Sequence, residues 1–69
     1  MAVNSTTDIE PLLLDVASVA KTLGIGRSKT WELIAAEQIF SVRVGKRRLV
    51  PRESVEQFVA DLIAEQAAS

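Results

Sequence analysis

Two stretches with helical periodicity meet across only three residues, Gly24-Ile25-Gly26. So short a link permits a sharp corner and little else, and Ile25 is the one side chain in it that can plug the angle between two helices. Ahead of the corner, Val16, Val19, Ala20 and Leu23 fall at i, i+3, i+4 and i+7, one face of a helix. Asp15 is a good N-cap, Leu14 and Val19 sit where a hydrophobic staple packs, and Gly24 stops the helix because a left-handed residue after a helix costs least for Gly. Beyond the corner Gly26 is a tolerable N-cap, and Arg27 to about Glu37 carries Trp31, Leu33, Ile34, Ala35 and Ala36 with no breaker. The outline is a helix-turn-helix.

After this pair the period changes. Ser41-Val42-Arg43-Val44 alternates polar and apolar, Gly45-Lys46 supplies a turn, and Leu49-Val50 precedes Pro51, so residues 41–50 read as a small hairpin. Pro51 suits the first turn of a further helix, Glu53 lies near its positive end, and Val55, Phe58, Val59, Leu62 and Ile63 form a stripe at helical spacing. That helix is expected to run to about Gln66. The fold class is therefore mostly α with a small β-hairpin, a winged helix-turn-helix of three helices plus wing. Residues 1–11 are expected to be a flexible N-terminal tail, 12–66 the folded domain and 67–69 a C-terminal tail. Gly24-Ile25-Gly26 with Lys29-Thr30 fails the spacing of phosphate-binding loops and follows no strand.

A 69-residue chain without Cys or His has no disulfide, no thiolate metal site and no imidazole ligand. The same absences remove Ser-His and Cys-His nucleophile pairs, and a core this small buries carboxylates and lysines poorly. Neither catalysis nor a cofactor or metal is expected. Asp61 and Glu65 read as a solvated helix face. Apolar runs reach only four residues and no basic segment begins the chain, so no membrane partner and a cytoplasmic location are expected.

The net charge of -1 conceals a segregation. Residues 1–20 carry three acids and no base, and residues 53–69 carry four acids and no base. All eight Lys and Arg lie in 21–52 against only Glu32 and Glu37, a local net of +6. A basic centre between acidic ends is the asymmetry expected of a surface that faces a polyanion, and a solvated face is the lesser alternative.

The run from Leu13 to Phe58 resembles the excisionase-type DNA-binding domain, a relative of the MerR-like winged helix-turn-helix. The resemblance rests on Leu13-Leu14-Asp15-Val16-Ala17-Ser18-Val19-Ala20-Lys21-Thr22-Leu23-Gly24-Ile25, then Arg27, Ser28, Thr30, Trp31, Leu33 and Ile34, a wing over 42–53, and Phe58. It departs at Glu37 and Phe40, near which the family usually has Gly and Pro. What it implies is a phage or integrated-element recombination directionality factor. Such a protein binds repeated DNA sites cooperatively, bends them, and directs an integrase toward excision.

The residues themselves support a duplex-DNA reading. An inserted helix presents its N-terminal turns to base edges and phosphates. With Thr30 and Leu33 turned toward the first helix, Ser28, Trp31, Glu32 and Ala35 face outward, flanked by Arg27 and Lys29. Arg27 is the expected guanine contact, its fork matching O6 and N7. Ser28 and Thr30 are expected on phosphate or a base edge, and Glu32 could accept from a cytosine amino group. Lys29 is expected on phosphate, and for Lys29 and Glu32 a solvated surface weighs equally. Trp31 either closes the core between helix and wing, the preferred placement, or lies against the sugar-phosphate chain. Arg43, Lys46, Arg47 and Arg48 crowd a two-stranded ribbon able to reach a minor groove, with Arg52 beside them.

One such module buries too little surface for tight specific binding, so neighbouring copies are expected to share the work, with Leu62 and Ile63 as the candidate contact unless the monomer core takes them. Two other readings stay open: a small regulator at a promoter operator, and an adaptor whose acidic third helix engages a basic partner protein.

Overall fold

The computed structural model describes residues 11–68. The expected N-terminal tail, apart from Pro11, and Ser69 of the expected C-terminal tail lie outside the described residues. The element order is β1 (Leu13–Asp15), α1 (Val16–Leu23), α2 (Arg27–Ala35), β2 (Val42–Val44), β3 (Arg47–Pro51) and α3 (Arg52–Ala67). This is the expected winged helix-turn-helix with one addition, since the hairpin gains a third strand. The sheet order is β1-β3-β2, antiparallel throughout, with Leu14 opposite Val50 and Arg43 opposite Arg48.

Local chemistry sets the ends of α1. Asp15 Oδ1 accepts from the Ser18 backbone N–H at 2.8 Å, which satisfies one of the orphan donors of the first turn. At the other end Gly24 sits at φ 75°. Its N–H donates to the Lys21 carbonyl while the Ile25 N–H donates to that of Ala20, the paired bonds of a Schellman motif. The corner is therefore closed by backbone hydrogen bonds and by Gly24, with Ile25 only partly buried over it.

The same motif recurs where α2 ends, with a different residue in the glycine seat. The Glu37 N–H donates to the Ile34 carbonyl and the Gln38 N–H to that of Leu33, and Glu37 adopts φ 60°. Among the described residues it alone, apart from glycines, has positive φ. The helix stops at Ala35, two residues short of the sequence expectation, because the cap must begin before Glu37 can turn left-handed. The reversal drops Ile39 into the centre of the molecule, where it is almost fully buried.

The core is small: Val16, Val19, Ile34, Ile39, Val50 and Val55 cluster, with Leu14, Leu23, Leu33 and Phe58 packed around them. These side chains come from β1, β3, all three helices and, through Ile39, the link after α2, so no pair of elements is self-sufficient. β3 is the central strand, and its buried Val50 lies on the face that meets the helices. Pro51 closes β3 and occupies the N-cap position of α3, one residue outside the first turn in which the sequence pattern places it, since the helix begins at Arg52. Only Val55 of α3 is fully buried, while Leu62 and Ile63 are 37% and 63% exposed. The alternative that these two complete the monomer core is thereby corrected: α3 is longer than the core that it covers.

Candidate nucleic-acid interface

Gly26 starts α2 with an extended backbone and offers no side-chain cap. Its carbonyl instead accepts from both the backbone N–H and the hydroxyl of Thr30, the latter at 2.9 Å. Thr30 is fully buried. Its expected contact with DNA is corrected accordingly, because a fully buried hydroxyl that already donates to the Gly26 carbonyl cannot meet a phosphate. Arg27, Ser28, Lys29, Glu32 and Ala35 are exposed, the face that the 100° turn per residue outlines. Lys29 Nζ lies 3.5 Å from Glu32 Oε1, an exposed i,i+3 pair worth a few tenths of a kcal/mol.

Trp31 belongs to this outward face. It is 48% exposed, so the preferred placement in the core is overturned. The core position between helix and wing is filled by Ile39, and the indole stands at the edge of a groove of about 570 Å³ lined by Trp31, Ile34, Ile39, Phe40, Ser41 and Arg48, among others.

The wing begins as two three-to-five-residue strands joined by Gly45-Lys46. Gly45 at φ 62° takes the first turn position, the pattern of a type II′ hairpin, whose twist matches that of the strands. The pleat divides the four cations that the sequence crowds together. Arg43 and Arg48 are cross-strand partners and share the face on which Val50 and Leu14 meet the helices. Arg47 points to the other face, where its Nη2 lies 3.6 Å from Asp15 Oδ2. Lys46 is at the tip, exposed. The Arg52 backbone N–H donates to the Leu12 carbonyl at 2.8 Å, and Arg52 lies half-buried where the wing passes into α3.

Asp15 thus joins the start of α1 to the wing. Hydrogen bonds from the backbone N–H and then the side chain of Ser18, with a smaller contribution from the Arg47 charge, hold its carboxyl below the usual carboxylate range. Sequence reasoning found the cap and missed the ion pair, because β1 brings Asp15 beside a residue more than thirty positions away.

Among the described residues no group of His, Cys, Asp or Glu could hold a metal ion, and no helix is long and apolar enough to cross a membrane. Asp61 accepts from Gln57 Nε2 at 2.8 Å. The stripe on α3 splits into two sides. Val55, Val59 and Ile63 line an apolar groove with Thr22 and Leu23 of α1, whereas Phe58 and Leu62 line another beside Glu37 and Gln38.

Residues 13–62 match the helix-turn-helix domain family. Over 58 residues the chain is 47% identical to a probable excisionase of Saccharopolyspora erythraea, which covers 84% of this chain and 59% of that protein. Over 59 residues it is 36% identical to an excisionase of Streptomyces ambofaciens, covering 86% of this chain and 95% of that protein. The chain thus spans less than two thirds of the first relative and nearly all of the second. No solved structure matches it significantly.

Proposed function

The chain belongs to the excisionase-type helix-turn-helix family, and from that premise we propose that it is a DNA-binding excisionase: it binds duplex DNA sequence-specifically through α2 and the wing, and directs an integrase toward excision. The observation that carries this reading is that Trp31 of α2 and Arg48 of the wing line one groove, so a helix for the major groove and a ribbon for the adjacent backbone lie on one side. In this role Arg27 reads a base edge, and Ser28 and Lys29 position the helix on phosphates. Glu32 faces the bases, and its pairing with Lys29 is weak enough to be exchanged on binding. Arg43, Lys46 and Arg48 hold the backbone beside the wing, with Arg52 near its root. Arg47 joins them by leaving Asp15.

The protein does no chemistry itself in this reading and works in the cytoplasm on DNA. Neighbouring copies bind tandem sites cooperatively and bend them, using the exposed α3 residues Leu62 and Ile63 as contact, because a single module of this size supplies only about 600–1,000 Å² of DNA interface.

Titration of a labelled duplex across salt concentrations tests the reading. Five or six phosphate contacts predict that log K falls with log[salt] at a slope of about -5. Absence of binding at low salt, or a flat slope, overturns it. A footprint on the DNA flanking the gene then decides the role: protection over an attachment site supports excision, and protection confined to a promoter assigns the protein to regulation.

A further inference from the structure

Two of the three aromatic side chains, Trp31 and Phe40, stand at the groove between α2 and the wing. Phe40 is 67% exposed, an unusual place for a phenyl ring in a monomer with so small a core. Arg48 is on the wing side of the same groove, and Arg43 is its direct cross-strand partner. Like charges directly opposite one another destabilise a two-stranded ribbon. Among the described residues neither guanidinium has a carboxylate partner: Arg43 Nε donates to the Gly45 carbonyl at 3.3 Å, and the Arg48 side chain makes no hydrogen bond or ion pair. One anion between them removes the repulsion. Glu37 lines the groove at the end of α2, so an anion belongs at the arginine side.

Resting on the DNA-binding reading, we propose that this groove seats one deoxyribose-phosphate unit of the strand that runs between the groove entered by α2 and the one reached by the wing. The phosphate is pinned by Arg43 and Arg48 together, and the sugar packs on Trp31 and Phe40. Phe40 is thereby a DNA-binding residue although it lies on neither the recognition helix nor the wing. The site takes any sequence, because sugar and phosphate carry none. Its aromatic part differs from the wing cations in one measurable respect: an apolar contact releases no counterions, so it adds affinity without adding salt dependence.

The sole Trp and the absence of Tyr make intrinsic emission a report on this groove alone. The experiment titrates the full chain with a fluorescein-labelled duplex of mixed sequence, following label anisotropy and Trp31 emission, for the wild type, Phe40→Ala, Phe40→Tyr and Arg48→Gln. Losing the ring contact predicts that Phe40→Ala binds roughly five- to tenfold more weakly with an unchanged salt slope. Phe40→Tyr restores affinity, and Arg48→Gln lowers the slope by about 1. Wild-type emission shifts in step with anisotropy. The exposure of Phe40 predicts unchanged thermal midpoints, and Phe40→Tyr keeps the test valid should the Ala variant be less stable. The proposal is overturned if Phe40→Ala binds like the wild type, or if Trp31 emission stays constant while anisotropy reports saturation. If the wild type shows no anisotropy change at low salt, the DNA-binding reading itself falls and takes this site with it.

Discussion

Glu37 holds the position where a glycine costs least. A left-handed backbone is unfavourable by roughly 1–2 kcal/mol for a residue with a Cβ, and Glu37 bears that cost at φ 60° to complete the cap of α2. Glu37→Gly is therefore expected to raise stability in urea denaturation by about 1 kcal/mol, the strain relief being partly offset by the greater freedom of Gly in the unfolded chain. Unchanged stability would mean that the carboxylate makes up the difference. Asp15 offers a second test at this scale. Its carboxyl titrates below its ordinary value in the folded state, so the stability that it contributes is present above the unfolded value and disappears as pH falls toward the folded one. Asp15→Asn keeps a competent cap and removes the titration. Its urea midpoint should fall less on acidification below about pH 5 than that of the wild type; parallel curves would assign the acid sensitivity to other carboxylates.

At the scale of elements, the proposed DNA-binding role gives α2 and the wing different tasks, and their substitutions should separate. Arg27→Ala is expected to cost about 1–3 kcal/mol on a cognate site and little on random duplex. Lys46→Ala should weaken both alike and lower the salt slope by about 1. Equal losses on both DNAs for Arg27 would demote it to a phosphate contact. The elements themselves were largely legible in the sequence. The period of Val16, Val19, Ala20 and Leu23 with Asp15 and Gly24 at its ends predicts α1 to the residue, because caps and amphipathic spacing act within a few positions. β1 was not legible. Leu13–Asp15 is three residues long and owes its conformation to Val50 and Leu49, a pairing that no local pattern signals. Ile39 was missed for a related reason: it stands alone between elements, and only the left-handed turn at Glu37 carries it inward.

At the scale of the molecule, the charge segregation becomes spatial. The acids Glu53, Glu56, Asp61 and Glu65 lie along α3, and six of the eight basic side chains lie on α2 and the wing. The end of α3 also leaves Leu62 and Ile63 outside the core. Exposed positions tolerate substitution within about 0.5 kcal/mol, so Ile63→Glu should leave the urea midpoint nearly unchanged while removing cooperativity between tandem sites in a gel-shift titration. Retained cooperativity would move the contact between copies elsewhere. By itself the sequence determined the three helices, the corner and the basic middle, since propensity, capping and charge are properties of neighbouring residues. Only the tertiary structure decided that Thr30 is buried and Trp31 exposed, that Arg47 turns away to Asp15 while Arg43 and Arg48 pair across the strands, and that Phe40 shares a groove with Arg48. Burial and facing depend on which distant strand supplies the next side chain, and the pleat of the sheet sends alternate residues to opposite sides whatever their chemistry.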